Sequence, residues 1–387
     1  MSLEALVEIS RYYGKNPDYV LAGGGNTSWK DGGTLFVKGS GMSLSDVDSG
    51  SFVMMDRNAL GRIWEQKYPE SSAEREAAVL ADMMAARKSG EEAKRPSVET
   101  LLHDIMPFDY VVHLHPALVN GLTCSQRGEA AVAEIFGGEE IWIPSINPGY
   151  VLSRAVKTAL DKYCVMRNKP ADIIFLQNHG IFVGSGSIEG IKERYNGIMA
   201  EINVLIKRHL DFSDEERSSD NPVISKTAET LSRLAGGATA FMRSREITAL
   251  VKDRAAFYPV SSAFTPDHIV YAGSDPLFVE ASFHETSFTE AALQETALFE
   301  ATLQKAWKTH AEKTQRNPKI VAVQGLGVFG VATTEKAAVL ALDLFKDAAK
   351  VAAYSESFGG PLFMANDKID FINNWEVERF RTGVSTK

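Results

Sequence analysis

Cysteine is nearly absent: Cys124 and Cys164 are the only two in 387 residues, too few for a disulfide framework. No apolar run approaches the ~20 residues that a membrane-spanning helix requires. The opening MSLEALVEISRYYG has the spacing of an amphipathic helix, without the apolar block of a signal peptide. Positive charge is also short, with 41 Lys and Arg against 50 Asp and Glu and a net charge of −9. That balance opposes a nucleic-acid surface, whereas a small anionic substrate needs only a local cradle. Together these absences predict a cytoplasmic protein with neither a membrane nor a nucleic-acid partner. What is present, 44% hydrophobic and 24% charged residues, can bury a large core and is enough for two domains at this length.

Three of the eight histidines carry most of the information. In YVVHLHPALVNGL, His113 and His115 are separated by one residue. Alternate side chains on a strand share a face, so both can converge on one ion while Leu114 faces the core. ADIIFLQNHGIFV reads as a second buried strand ended by the turn NHG, which sets His179 at the strand's end. Three nitrogens plus an open position is the arrangement of a catalytic zinc. Each histidine alone reads equally well as a core or strand-edge residue; the combination points to a metal.

Two glycine-rich stretches precede them. Three glycines in GGGNTS let the backbone approach a ligand and offer N–H groups to phosphate oxygens, while Asn26, Thr27 and Ser28 add side-chain donors. KGSG, from Lys38 to Gly41, repeats the theme. Either alone suits an ordinary turn; paired ahead of the histidines they suggest an anion cradle. Ser97, after Pro96, is placed to cap the helix VETLLHDIM and to set Glu99 in its first turn, where the helix dipole favours a carboxylate for structural reasons alone. Beside a dication the same carboxylate can shuttle protons. His103, a turn later, could stand behind the site and support the residues that act there, though a surface or packing role suits it better; His209 ends a helix, and His268, His284 and His310 have no ligand-like spacing.

In order, LAGGGNTSWKDGGTLFVKGSGMSL, RPSVETLLHDIM, VVHLHP and LQNHGIFV resemble the class II aldolase/adducin family of zinc-dependent sugar-phosphate aldolases over roughly residues 1 to 210. The chain looks closest to the aldolase portion of bifunctional rhamnulose-1-phosphate aldolase/alcohol dehydrogenase proteins, a likeness continuing through FTPDHIVY and VQGLGVFGV, with the dehydrogenase part absent. The resemblance implies His113, His115 and His179 as ligands of Zn2+ or another divalent cation, Glu99 as the acid/base carboxylate, and Asn26, Thr27, Ser40, Gly41 and Ser97 around a phosphate. It implies retro-aldol cleavage of a ketose 1-phosphate through a metal-bound enediolate, with a homo-oligomer expected. Related epimerases, decarboxylases and dehydratases, and non-catalytic adducin-like modules, are the alternatives. One departure is Val98, where the well-known aldolases read PSSE and this chain reads PSVE.

Alternating strand and helix patterns predict an α/β layered fold, with a capping box at Ser71 and Glu74, YVLA and TLFVK as strands bracketing a glycine turn, and a linker in DFSDEERSSDNPVIS. The expected domains are 1–215, class II aldolase-like, and 216–387, a second α/β domain. Setting Gln177 against Gln324, an offset of 147 in the numbering, aligns IIFLQNHGIFV with IVAVQGLGVFG and puts Leu326 opposite His179. The second domain then reads either as a degenerate repeat without a metal site or as an ordinary strand, glycine turn, strand and helix unit that matches over a dozen residues by chance. GLGVFG also fits the dinucleotide pattern G-x-G-x-x-G, but that fingerprint needs a helix to start inside it. Here the apolar VFGVA reads on as strand.

Overall fold

The computed structural model describes residues 2–218, 220–281 and 290–377; His284 lies outside them. The chain divides into two compact units, Met1–Lys207 together with the segment from Tyr354, and Arg208–Ala353. The boundary thus falls eight residues before the expected 215, and the C-terminal segment belongs with the first unit. Sequence pattern missed this because a returning segment carries no periodicity of its own.

In the first unit seven strands form one sheet: β1 (Asn26–Asp31), β2 (Thr34–Lys38), β3 (Phe52–Asp56), β4 (Tyr110–Leu114), β5 (Ile141–Ile143), β6 (Ile173–Leu176) and β7 (Gly180–Ser185). Their order is β3-β2-β1-β4-β7-β6-β5, antiparallel throughout except for the parallel pair β5 and β6. The strict two-residue alternation of a strand sorts their side chains into two cores. Val112, Leu114, Phe175, Ile181 and Val183 pack on one face with the helices Leu3–Gly14, Ala117–Thr123 and Ile188–Asn203. Val111, Ile174, Leu176 and Phe182 pack on the other with Thr100–Ile105 and Tyr150–Arg167. Helix layers on both faces of a sheet make an α/β/α sandwich, the layered α/β fold expected for a class II aldolase-like domain.

The second unit has a four-stranded sheet, β8 (Ala238–Met242), β9 (Leu277–Val279), β10 (Ile320–Val323) and β11 (Gly327–Ala332), in the order β8-β11-β10-β9. It reproduces β4-β7-β6-β5. Adding 147 to the bounds of β6, β7 and the start of the helix at Ile188 gives β10, β11 and the start of the helix at Glu335. Hydrogen bonds repeat as well. Gly184 N donates to Asp172 O at 2.8 Å and Val331 N to Lys319 O at 2.8 Å; Gln177 N donates to Ile143 O and Gln324 N to Val279 O. Matching side-chain bonds run from Ser145 N to Gln177 Oε1 and from Ala281 N to Gln324 Oε1. The strand pairings His113 with Phe182 and Phe241 with Phe329 put Phe241 at the place of His113, and hence Arg243 at that of His115 and Leu326 at that of His179.

Four local expectations are corrected. NTSWKD is strand β1, not turn, because each of its edges pairs with a neighbour. YVLA is not a strand: two turns, Tyr19 N to Asn16 O and Gly24 N to Leu21 O, fold it. Ser71 makes no capping bond to the helix that follows. The helix expected to end at His209 ends at Asn203, so His209 lies outside it.

Candidate metal centre

The site is assembled at the ends of β4 and β7 and on the adjoining β1. Asn26 and His113 are direct partners across β1 and β4, so their side chains share a face. The His113 ring stacks on Phe182 with centroids 4.0 Å apart. His115 follows the end of β4, its N–H held by Tyr19 O at 3.2 Å. His179 is aimed by the turn before it: Asn178 adopts φ +58°, a left-handed conformation that asparagine tolerates, and its Nδ2 donates to Leu362 O at 2.8 Å. Gly180 completes the corner. A Cβ there would sit 2.5 Å from Leu114 O and 2.7 Å from His115 Cδ2, closer than any side chain permits.

The three histidines each offer one ring nitrogen, all within 4.8 Å of one another, and their ring centroids are 4.6 to 5.0 Å apart. His113 Nδ1 lies 2.9 Å from Ile181 O; a carbonyl only accepts, so Nδ1 carries the hydrogen and Nε2 presents its lone pair. His115 Nε2 is 2.8 Å from that atom. Glu99 Oε1 is buried without a hydrogen-bond partner, 3.4 Å from His113 Nε2 and 3.5 Å from His179 Nε2. A buried carboxylate oxygen beside the lone pair of His113 Nε2 is costly unless something positive stands between them. The donor set therefore fits a divalent cation, and imidazole nitrogen suits zinc and its neighbours in the transition series.

The helix starts at Thr100, so Glu99 and not Ser97 occupies its N-cap position, two places before the one expected for it within the first turn, and makes no capping bond. Its Oε2 instead accepts from Asn26 Nδ2 at 2.6 Å. The other Asn26 amide hydrogen goes to Ser97 Oγ at 3.1 Å. Ser40 and Gly41 are drawn toward Ser97 by backbone bonds, Ser40 N to Arg95 O at 2.8 Å and a bridge between Gly39 and Pro96. Thr27 does not join them. Strand alternation turns it to the opposite face, where its hydroxyl meets Ser10 Oγ at 2.7 Å. Val98 lines a small apolar cavity with Val79, Leu101, Trp375 and Val377, which accounts for a valine at that position.

Two residues near the site were read differently or missed. His103 is fully buried and bonded to Ser28 and Asn26, so a surface role is excluded. Its signal was present as two polar residues, Asn26 and Ser28, on one buried face of a strand that must find partners. Lys38, at the start of KGSG, is 2% exposed, and its ammonium donates to Met42 O at 2.6 Å. A lysine closing an apolar strand just before glycine and serine was the available clue.

Residues 4–196 match the class II aldolase and adducin N-terminal domain, and residues 220–380 match the class II aldolase second domain. The chain belongs to the class II aldolase/adducin family. Among curated proteins it is 20% identical to the uncharacterized oxidoreductase YuxG of Bacillus subtilis, across 98% of this chain but 58% of that protein. The chain thus spans less than two thirds of that relative. Among solved structures, the N-terminal class II aldolase domain of a conserved protein from Thermoplasma acidophilum is 28% identical, covering 54% of this chain and 94% of its own, with a TM-score of 0.45. An L-fuculose-1-phosphate aldolase from Thermus thermophilus is 13% identical, covering 52% and 93%, with a TM-score of 0.33.

Proposed function

We propose that this protein is a metal-dependent lyase that cleaves a ketose 1-phosphate by a retro-aldol reaction, releasing dihydroxyacetone phosphate and an aldehyde. The observation that carries the reading is the bare Oε1 of Glu99 standing 3.4 and 3.5 Å from two ring nitrogens of the histidine cluster. His113, His115 and His179 would hold the cation, zinc or another divalent metal. When bound, it supplies Lewis-acid polarisation of the substrate's carbonyl and adjacent hydroxyl.

Glu99 is the proton-transfer group: with Oε2 tied to Asn26, Oε1 is the atom that exchanges a proton with the carbon whose bond breaks. Ser97 Oγ already accepts from Asn26 Nδ2 and from Glu99 N at 3.2 Å. Its own hydrogen is left to donate to a phosphate oxygen. Ser40 and Gly41 lie in the loop after β2 that bonds to the Arg95–Pro96 segment before Ser97, and the buried ammonium of Lys38 adds positive charge near the anion. Anchoring the phosphate fixes the reacting carbons against Glu99. The same residues would serve an epimerase, decarboxylase or dehydratase of sugar phosphates. A non-catalytic interaction module has no use for an unsatisfied buried carboxylate beside three imidazoles. The GLGVFG segment gives a dinucleotide no helix N-terminus, because β11 runs through it. Among the described residues no helix is long and apolar enough to cross a membrane, and we place the protein in the cytoplasm as a homo-oligomer.

The test is a screen of ketose 1-phosphates with purified, zinc-loaded protein. Dihydroxyacetone phosphate should appear with one of them, and a chelator should abolish it. A sugar phosphate that is epimerised, decarboxylated or dehydrated, with no cleavage, would move the assignment to the corresponding relative.

A further inference from the structure

Behind Glu99 runs a chain of hydrogen bonds with only one self-consistent direction. His103 is buried, and desolvation, followed by the charges of His113, Lys30 and Lys38, holds its pKa well below the ordinary histidine range. A neutral imidazole has one donor and one acceptor nitrogen. Nε2 is bonded to Asn26 Oδ1, and an amide oxygen only accepts, so Nε2 carries the hydrogen. Nδ1, 2.8 Å from Ser28 Oγ, must then accept the serine hydroxyl. With Oδ1 held by His103, Nδ2 is forced to the other side of the Asn26 amide, where it lies 2.6 Å from Glu99 Oε2 and 3.1 Å from Ser97 Oγ. Flipping the amide would set its oxygen against the Glu99 carboxylate, where the 2.6 Å hydrogen bond now stands, and lose that bond.

We propose that His103 is a positioning residue that locks the Asn26 amide so that both its N–H groups face Glu99 and Ser97. Two consequences follow at the site. Glu99 keeps Oε2 anchored and Oε1 directed at the histidine cluster, and Ser97 keeps its hydroxyl hydrogen for an anion. Neither His103 nor Ser28 needs to touch substrate. The catalytic consequence rests on the reading of Glu99 as the proton-transfer group; the lock itself does not.

The test has two arms, both on the full chain. In the first, nitrogen-15 NMR reads the His103 tautomer without metal or substrate, with the resonances assigned by their loss in His103→Gln. Hydrogen on Nε2 and a bare Nδ1 are expected at neutral pH; hydrogen on Nδ1, or a charged ring, overturns the lock. In the second, zinc-loaded variants are compared for proton exchange at dihydroxyacetone phosphate. A glutamine amide can reproduce the Nε2 donor, so His103→Gln should stay near the parent rate. His103→Leu, and His103→Asn, which can reach only Ser28, should fall roughly 10- to 100-fold at an unchanged metal content. Adding Asn26→Ala to His103→Leu should cost nothing beyond Asn26→Ala alone, because His103 acts only through that amide. A purely packing role would instead lower stability in all three single variants while rates per folded molecule stayed equal, and that result overturns the proposal. If His103→Leu does not fold, His103→Asn and the tautomer decide. A parent that exchanges no proton when loaded with zinc removes the lyase reading, and the tautomer then judges the lock by itself.

Discussion

Asn26 and His113 face each other across β1 and β4, and that one pairing joins the two halves of the site: the histidines that suit a cation and the Asn26–Glu99–Ser97 group that suits proton transfer and an anion. Register therefore matters as much as residue type. A one-residue slip of β1 would bring Thr27 to this face and send Asn26 into the apolar core.

The first prediction is a metal count of one per chain. The second unit has Phe241, Arg243 and Leu326 where ligands would be required, so elemental analysis after dialysis should find a single ion. The paired change His113→Ala with His115→Ala should abolish it while the circular dichroism spectrum stays largely unchanged. Chelation of the parent should lower the melting temperature, since an ion at about 1,000 times its Kd contributes ~4 kcal/mol to the folded state. Two tightly held ions would contradict the repeat, and none after zinc loading would contradict the metal reading.

The second concerns Glu99. In Glu99→Gln the amide oxygen can still accept from Asn26, but no proton can be exchanged. Turnover, or proton exchange on dihydroxyacetone phosphate, should drop by about 100-fold or more with metal content unchanged. A carboxylate that only complemented the helix dipole would instead cost ~0.3 to 1 kcal/mol of stability and leave the rate intact.

Much of this was legible before the structure. The histidine pair, the NHG turn and the strands around them stand out because buried strands are short apolar runs with sharp ends, and polar residues at those ends have few bland explanations. The repeat was visible because Gln177 and Gln324 do the same work, each binding the backbone of the neighbouring strand. Three things were not legible. The strand NTSWKD is rich in polar residues because Asn26 and Ser28 bond His103, a partner 77 and 75 residues away, and no local pattern reports that. Thr27 looked like a third donor because proximity in sequence hides strand alternation. The C-terminal segment's attachment to Asn178 and Cys124 is pure tertiary structure.

A third prediction uses pH. Lys30 is buried with its ammonium donating to Phe108 O at 2.8 Å, and desolvation lowers its pKa from 10.5 to about 7. Between about pH 7 and 10.5 the unfolded chain holds the proton and the folded one has largely lost it. Stability from this group therefore rises with pH across that window, by up to ~1.4 kcal/mol per pH unit. Replacing Lys30 by methionine removes the linkage. Urea titrations at several pH values should show the variant most favoured over the parent near pH 7 and the difference shrinking as pH rises. A constant difference would mean that Lys30 keeps its charge in the fold.

The last prediction separates what the two halves of the repeat do with the same position. His179 lies in the turn after β6 and faces the cation site, whereas Leu326, its counterpart after β10, is 5% exposed and packs with Phe241, Val323 and Phe329. A position given up by a ligand and taken over by packing should respond as core. Leu326→Ala should cost about 2 to 5 kcal/mol, the transfer of the lost methyls plus the cavity they leave, measured by denaturant unfolding. His179→Ala should cost the metal-free protein less, because its ring is shared with a polar site instead of an apolar cluster, and should sharply reduce metal affinity. Metal content in Leu326→Ala should remain at the parent value. If that variant instead loses the ion, the second unit supports the metal centre in a way that packing at Leu326 alone does not explain.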